Sequence, residues 1–129
     1  MKTKSSNPAP RFAYEGLDRV IHERARLSVL TSLITRPKGL SFVELKQLCG
    51  LTDGNLARHL QVLEEDGMVR VTKEDDGGRG QTIVRVTASG RKRYLEYLTT
   101  LEQVVRDAAS ALREDEEDPV HRKLSHVNA

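Results

Sequence analysis

The fold of this chain is decided by Thr52–Gly67, TDGNLARHLQVLEEDG, which leads directly into Met68–Val71, MVRV. The leucines of this stretch recur at helical spacing and form one apolar face: Leu56, Leu60 and Leu63. The Thr52 hydroxyl can cap the first helical turn, and Gly67 suits the left-handed position beyond a helix end. The pattern therefore predicts a helix that packs through one face and exposes a small, polar face, as a helix in a DNA major groove does.

The polar face of this helix predicts contacts with DNA along its N-terminal half. The first backbone N–H groups can donate to a phosphate, and Gly54 permits a close approach. Arg58 is the candidate for a bidentate guanine contact, while Asn55 or Gln61 could contact adenine or the backbone. We interpret His59, at the edge of the leucine face, as a packing residue. The predicted DNA-binding residues of the helix are Thr52, Gly54, Asn55, Arg58 and Gln61.

Two further helices are predicted upstream. Apolar residues at helical spacing predict a first helix over Leu17–Arg36, which Pro37–Gly39 ends. A second, short helix is predicted over Ser41–Leu48, because its first four residues, SFVE, match a capping box. The three residues Cys49–Leu51 then connect it to the helix that follows. Two short helices joined by a tight glycine-containing turn are typical of a helix-turn-helix.

A β-hairpin is predicted directly after the Thr52–Gly67 helix, which we call the recognition helix. Met68–Lys73 and Gln81–Thr87 are rich in β-branched residues that alternate with polar ones, which predicts two paired strands. They flank an acidic, glycine-rich tip, Glu74–Gly80, that we expect to be flexible. A hairpin in this place is typical of a wing, although a plain edge hairpin would show the same pattern. Its basic residues could reach phosphate or the minor groove: Lys73, Arg79 and Arg85.

A long final helix is predicted over about residues 88–113, with Thr87 or Ser89 as its cap. Its apolar residues step by four and three positions and form a heptad seam: Tyr94, Leu98, Leu101, Val105, Ala108 and Leu112. Such a helix would be ~39 Å long at ~1.5 Å per residue, longer than a domain this small can cover. We therefore expect it to pair with the same helix of a second chain. The alternative is that its first half packs on the domain and the rest frays.

The composition describes a polar protein with a modest core. Of 129 residues, 37% are hydrophobic and 31% are charged, and the net charge is +2. No apolar run approaches the roughly 20 residues that span a bilayer, and the N-terminus lacks a hydrophobic signal stretch. The single cysteine, Cys49, excludes an internal disulfide and fits a cytoplasmic location. We expect a disordered tail or basic arm over residues 1–13, one domain over residues 14–113 and a polar tail over residues 114–129.

The order helix, helix, recognition helix, wing and long helix resembles the winged helix-turn-helix transcriptional regulators of the MarR/ArsR type, above all their short single-domain members. The resemblance covers about residues 15–110 and is carried by Leu17–His22, Phe42–Leu45, Asn55–Leu60, Leu63–Val69 and Val86–Arg91. It implies a mainly α fold with a small β-hairpin. It also implies a homodimeric regulator that binds double-stranded DNA, and two recognition helices would read a roughly palindromic operator.

Other functions have less support in the sequence. The metal-sensing branch of the resembled family carries paired cysteines before the recognition helix, whereas Glu44–Cys49 offers one, so we expect no metal and no cofactor. No phosphate-binding glycine loop or nucleophile motif indicates an enzyme. A winged-helix protein-interaction module without sequence-specific DNA binding stays the alternative, because one fold serves many functions. A small-molecule effector at a helix junction could contact the aromatic residues Phe12, Tyr94 and Tyr97.

Overall fold

The structure, a computed structural model, describes residues 10–117, except for the side chains of three of them. This part of the chain contains four helices and three strands: α1 (Arg24–Ile34), β1 (Leu40–Ser41), α2 (Phe42–Cys49), α3 (Asp53–Glu65), β2 (Val69–Asp76), β3 (Arg79–Val86) and α4 (Ala88–Glu117). The predicted class, a mainly α winged helix with a long last helix, is confirmed. The described residues form two compact units, Gly16–Tyr97 and residues 10–15 with 98–117.

The first helix begins later than the sequence predicts. The predicted helix over Leu17–Arg36 is wrong at its start, because α1 begins at Arg24 after the N-cap residue Glu23. Upstream, one carboxylate oxygen of Asp18 accepts the backbone N–H groups two and three residues on, at 2.9 and 3.4 Å. Such local side-chain hydrogen bonds compete with helix formation. The apolar spacing in this segment reflects the burial of Ile21 from a turn rather than from a helix.

The second and third helices match the predicted helix-turn-helix within one residue. The capping box before α2 forms in both directions: Ser41 Oγ accepts the Glu44 N–H at 3.1 Å, and the Glu44 carboxylate accepts the Ser41 N–H at 2.9 Å. Gly50 then takes a left-handed conformation with φ of 64° and ends α2. Two residues after Gly50, the hydroxyl of Thr52 accepts the Asn55 N–H at 3.2 Å and caps α3, which begins at Asp53. These local caps set the sharp turn between the two helices.

The leucine face of α3 anchors this helix in the core of the Gly16–Tyr97 unit. Leu56 and Leu63 are completely buried, and Leu60 is 4% exposed. Apolar residues of the other elements share this core: Val29, Leu30, Leu33, Leu40, Leu45, Met68, Val69 and Val84. Burying one leucine stabilises a fold by ~1.5–3 kcal/mol, so these three contacts hold α3 firmly by one face. The opposite face of α3 is left in solvent.

The sheet has the antiparallel order β1-β3-β2. The short strand β1, which the sequence does not predict, pairs Leu40 with Val84 of β3. The wing itself is the β2–β3 hairpin, whose register runs from Val69 opposite Val86 to the pair beside the turn. Hydrogen bonds to β1 therefore connect the wing to the start of α2.

The loop at the tip of the wing is shorter than the sequence predicts. Glu74–Gly80 was expected to be a loop, but β2 continues to Asp76 and β3 begins at Arg79. Gly77 and Gly78 alone form the turn, with φ angles of 66° and 87°. Two successive positive φ angles are what a tight two-residue hairpin needs, and glycine adopts them without steric cost. The acidic residues before the turn are therefore strand residues.

The last helix is longer than predicted. α4 continues to Glu117 rather than ending near residue 113, and it includes four of the five acidic residues assigned to a polar tail. Of its two predicted caps, Thr87 is the one used, since its hydroxyl accepts the Gly90 N–H at 2.9 Å. Long charged side chains favour a helix and pair along it, as Arg106 and Glu102 do at 3.2 Å. The predicted tails over residues 1–9 and 118–129 lie outside the described residues.

The second unit joins residues 10–15 to the later part of α4. The Tyr14 hydroxyl donates to Asp107 at 2.6 Å, and the Gln103 amide donates to the other carboxylate oxygen at 2.9 Å. These two hydrogen bonds hold the pKa of Asp107 below its usual range, while the hydrogen bond to Asp107 raises the pKa of Tyr14. Within residues 10–117, no helix combines the length and the apolar character needed to cross a bilayer.

Candidate nucleic-acid interface

The polar residues of α3 lie on one exposed surface, which we call the reading face. The predicted DNA-binding residues of this helix are all exposed: Thr52, Gly54, Asn55, Arg58 and Gln61. Ala57 is exposed among them, so the face carries two side chains no larger than a methyl group near its N-terminal end. A ligand surface could therefore approach the backbone of α3 closely along this face.

Hydrogen bonds between neighbours orient the longer side chains of the reading face. A guanidinium nitrogen of Arg58 donates to the Asn55 amide oxygen at 3.2 Å. This contact directs Arg58 towards the N-terminal half of the helix, and the planar guanidinium can present further N–H groups to a base edge. The Gln61 amide donates to Glu65 at 3.2 Å, towards the acidic end of the helix. Arg58 and Asn55 are therefore better placed together for recognition than Gln61.

The start of α3 carries an acid that would repel a phosphate, but its charge is balanced. Asp53 lies 2.9 Å from the ammonium group of Lys46, which comes from α2. The Asp53 side chain is 74% exposed, so the pair is a weak surface ion pair. It nevertheless places a cation beside the only acidic side chain in the first turn of α3.

A polar cleft lies beside the reading face, between α1, the helix-turn-helix turn and α3. Its volume is about 320 Å³, and its walls include Arg24, Asn55, Arg58 and His59. Arg24 is an exposed residue at the first position of α1. From the sequence alone, Arg24 is interpreted as an exposed or structural charge of the first helix rather than as a DNA contact. Only the fold brings this second arginine to the same cleft as Arg58.

His59 is a packing residue, as the sequence predicts. It is 7% exposed, and its Nδ1 atom is 3.3 Å from a guanidinium nitrogen of Arg26. The Nδ1 atom of His59 is also 3.9 Å from the carboxylate of Glu23, the N-cap of α1. These contacts join α3 to the start of α1, so His59 supports the reading face rather than belonging to it.

The wing contributes fewer basic groups than the sequence suggests. Lys73 is exposed on β2, opposite Thr82 of β3. Arg79 is the first residue of β3, beside the turn. The guanidinium of Arg85, by contrast, is bound to Glu74 through two hydrogen bonds of 2.5 and 3.2 Å.

The Arg85–Glu74 pair takes Arg85 out of the set of DNA-contact candidates. The hydrogen bond from Arg85 is the main reason why the pKa of Glu74 is held below its usual range, and Thr72 adds a second one at 3.0 Å. The acidic charge nearest the middle of the wing is thus neutralised within the hairpin. Lys73 and Arg79 remain the wing candidates.

The predicted seam of α4 divides between the two units. Tyr94 is buried in the Gly16–Tyr97 unit, where its hydroxyl is 2.8 Å from that of Thr31, so it is a core residue of one chain. In the other unit the seam residues are exposed or half-buried: Leu98, Leu101, Val105, Ala108 and Leu112. Leu98, Val105 and Leu112 are 36%, 60% and 65% exposed. Their seven-residue spacing forms an apolar stripe along one side of the helix.

The aromatic residues considered for an effector are divided between the two units. Tyr97 is 1% exposed and its hydroxyl is 2.6 Å from His22 Nδ1, so both tyrosines of α4 in this unit are engaged in the core. Phe12 belongs to the other unit and is 60% exposed. Among residues 10–117, no group of three or more potential ligands could hold a metal ion.

A helix-turn-helix followed by an antiparallel hairpin and a long helix defines the winged helix-turn-helix class of proteins. A family model described as a winged helix DNA-binding domain matches residues 25–105, so the chain belongs to that family. The predicted MarR-type resemblance is also confirmed at the level of the fold, which MarR-family regulators of known structure share.

The chain is also similar to individual proteins. An uncharacterised protein of Methanocaldococcus jannaschii is 35% identical over 89 residues, which is 67% of this chain and 92% of that protein. A transcriptional regulator homologue from Pyrococcus horikoshii is 28% identical and has a TM-score of 0.65, covering 69% of this chain and 87% of that chain. The transcriptional repressor CouR, whose structure contains a 23-mer DNA duplex, is 21% identical with a TM-score of 0.60, over 90% of this chain and 84% of that chain.

Proposed function

We propose that this protein is a sequence-specific DNA-binding transcriptional regulator that acts as a homodimer on a roughly palindromic operator. The observation that carries the proposal is the division of α3 into a buried leucine face and an exposed reading face. Winged-helix family membership supports it, as does the fold shared with a repressor that was solved on DNA. The family domain is a binding module, and we propose no catalytic activity.

In the proposed complex, the reading face enters the major groove. Arg58 donates to a guanine edge while Asn55 orients it, and Gly54 lets the backbone approach the DNA. Arg24 contributes a phosphate contact from the cleft beside this face. Thr52 keeps its capping role, because its hydroxyl already accepts a backbone N–H, and Gln61 makes a peripheral contact. Lys73 and Arg79 extend the contacts to the adjacent minor groove or phosphates.

The apolar stripe of α4 is the proposed dimer contact. An exposed row of Leu98, Val105 and Leu112 is unfavourable in water and fits the seam of a paired helix. Leu101 and Ala108 lie on the same side of the helix and complete the heptad pattern. Two chains paired in this way would present their recognition helices to major-groove faces ~34–36 Å apart.

The proposal is tested by selecting bound sequences from a random DNA pool with the wild-type protein. A recovered palindrome is the expected result. Arg58→Ala should then weaken binding by ~1–3 kcal/mol per half-site, roughly 5- to 150-fold, and should relax the preference at one base pair. Arg106→Ala is the matched control, because it also removes an exposed arginine, from α4 instead of α3. Equal ratios of specific to random-sequence affinity for both variants would contradict the assignment.

The second candidate function is a winged-helix protein-interaction module. It is favoured by the small net charge of +2 and by the exposed acidic residue Asp75 on the wing. Salt dependence distinguishes the two functions. Binding to DNA should weaken steeply as salt rises because cations are released, whereas an apolar protein contact should not. A small-molecule effector and a cytoplasmic location stay predictions without a residue-level basis in the structure.

A further inference from the structure

A group of contacts at the C-terminal end of α3 is not used by the proposed DNA contacts. Its centre is Arg93, in the second turn of α4. One side of the guanidinium donates to the Asp18 carboxylate, through Nε at 3.0 Å and Nη2 at 2.8 Å. The other side lies 2.6 Å from the carboxylate of Asp66, which is the C-cap of α3, and also donates to its carbonyl oxygen at 3.3 Å. Arg93 thus joins three separate segments of the chain.

The backbone around Arg93 is packed equally closely. The Thr87 hydroxyl donates to the carbonyl oxygen of Gly67 at 2.7 Å, and the Thr87 N–H donates to that of Met68 at 2.9 Å. Gly90 lets the first turn of α4 approach the same segment, because a Cβ at this position would lie only 2.1 Å from the Met68 oxygen. The end of α3 and the start of α4 are therefore held together by backbone hydrogen bonds and close packing as well as by Arg93.

We propose that Arg93 is a positioning residue for DNA recognition, which holds α3 in a fixed orientation on α4 and so determines which half-site spacing the dimer accepts. This inference rests on the proposed function. Arg93 lies in α4, and later residues of the same helix carry the apolar stripe. In the proposed dimer, the orientation of α3 on α4 therefore affects the distance between the two recognition helices. We call the contacts of Arg93 with Asp18 and Asp66 the α3–α4 joint. A looser joint would let each reading face bind its half-site over a wider range of separations.

The chemistry of the contact suits this role. The Arg93 side chain is 29% exposed and that of Asp18 is 23% exposed, so the pair is screened less than a surface ion pair. Burial alone would raise the pKa of Asp18, but the hydrogen bonds from Arg93 and from backbone N–H groups outweigh it and hold the pKa below its usual range. A planar guanidinium can bind two carboxylates in fixed directions, which a lysine ammonium cannot.

Hydrogen exchange of the wild-type protein and two variants tests the inference without DNA. Arg93→Gln removes the joint, and Arg91→Gln removes the same charge from an exposed position in the same part of α4. The amides at the end of α3 report on the joint, because Gly67 and Met68 donate to Glu64 and Leu63 carbonyls at 3.0 and 2.9 Å. We expect these amides to exchange roughly 3- to 30-fold faster in Arg93→Gln than in Arg91→Gln. Equal exchange in the two variants would overturn the inference.

Half-site spacing provides the second test. Duplexes carry the selected operator with the original spacing or with one base pair inserted or removed between the half-sites. Wild type and Arg91→Gln should discriminate strongly against the altered spacings, whereas Arg93→Gln should lose roughly 3- to 30-fold of that discrimination. Arg93→Lys, which keeps the charge but not the fork, should fall between them.

The outcomes separate the inference from the function on which it rests. Unchanged spacing discrimination in Arg93→Gln would overturn the inference even if α3 exchanged faster. Failure of the wild type to select any sequence would refute the proposed function, and the exchange result would still decide whether Arg93 holds α3. A circular-dichroism melt of Arg93→Gln shows whether this variant keeps its fold, and the spacing test with Arg93→Lys decides the inference if it does not.

Discussion

Gly90 in the first turn of α4 is where a single added methyl group should have its largest effect. An ideal Cβ at this position would lie 2.1 Å from the carbonyl oxygen of Met68 and 2.9 Å from its carbonyl carbon. A real carbon–oxygen contact needs over 3 Å, so the backbone would have to separate by about 1 Å. Met68 is completely buried, and its oxygen already accepts the Thr87 N–H, so it cannot move without breaking that hydrogen bond. Gly90→Ala therefore disturbs the α3–α4 joint directly.

The size of the effect follows from three contributions. Overpacking a well-packed site costs ~1–3 kcal/mol, and weakening one backbone hydrogen bond costs about 1 kcal/mol more. Alanine regains up to ~1 kcal/mol, because it favours the helix over glycine. With the full regain from alanine, the free energy of unfolding of Gly90→Ala should thus fall by ~1–3 kcal/mol. Urea denaturation followed by circular dichroism at 222 nm measures it.

The matched control is Gly54→Ala in the first turn of α3. Apart from its chain neighbours and the nearby backbone of its own helix, no heavy atom lies within 4 Å of a Cβ at Gly54, and its φ is not in the left-handed region. The same substitution should therefore leave the stability unchanged or raise it by up to ~1 kcal/mol. A Gly90→Ala protein within ~0.5 kcal/mol of wild type, or one no less stable than Gly54→Ala, would refute the close approach of α4 to Met68.

Two other predictions concern the dimer and the response to acid. Val105→Asp places a charge in the exposed apolar stripe and should convert the proposed dimer to a monomer in sedimentation velocity. Ser110→Asp, on another side of the same helix, is the control and should leave the dimer intact. A dimeric Val105→Asp protein would exclude this stripe as the dimer contact. Because the folded-state pKa of Asp18 lies below its usual range, the ionised carboxylate stabilises the fold at pH values above the ordinary carboxyl pKa, and this contribution is lost as the pH falls through the folded-state pKa. Asp18→Asn should accordingly be ~1–2 kcal/mol less stable at pH 7 and lose less stability than wild type between pH 5 and 2, and parallel urea-denaturation profiles would contradict this.

Most of the helix-turn-helix could be predicted from the sequence because its signals are local. The capping box at Ser41–Glu44, the left-handed glycine at Gly50 and the Thr52 cap act within four residues of where they stand. The leucine spacing of α3 also needs no information from the rest of the chain to indicate a buried face. The reading face opposite these leucines was predictable for the same reason.

The errors arose where distant or competing contacts decide the local structure. Apolar spacing predicted a helix from Leu17, but the Asp18 carboxylate forms a turn and α1 starts at Arg24. The acidic tip of the wing read as a loop, yet pairing with β3 extends β2 to Asp76. Tyr94 continued the heptad pattern of α4, although it packs in the core of its own unit. In each case the sequence pattern is compatible with two structures, and packing selects one.

By itself, then, the sequence determined the class of fold and the face of α3 that contacts DNA in the proposed function, since periodicity and caps are properties of neighbouring residues. Tertiary structure alone decided which charged groups act together. Arg24 shares a cleft with Arg58, Arg85 is paired with Glu74, and Arg93 connects α4 to Asp18 and to the end of α3. Each of these contacts joins residues from separate segments of the chain, and the spacing of the residues in the sequence does not encode the distance between their side chains.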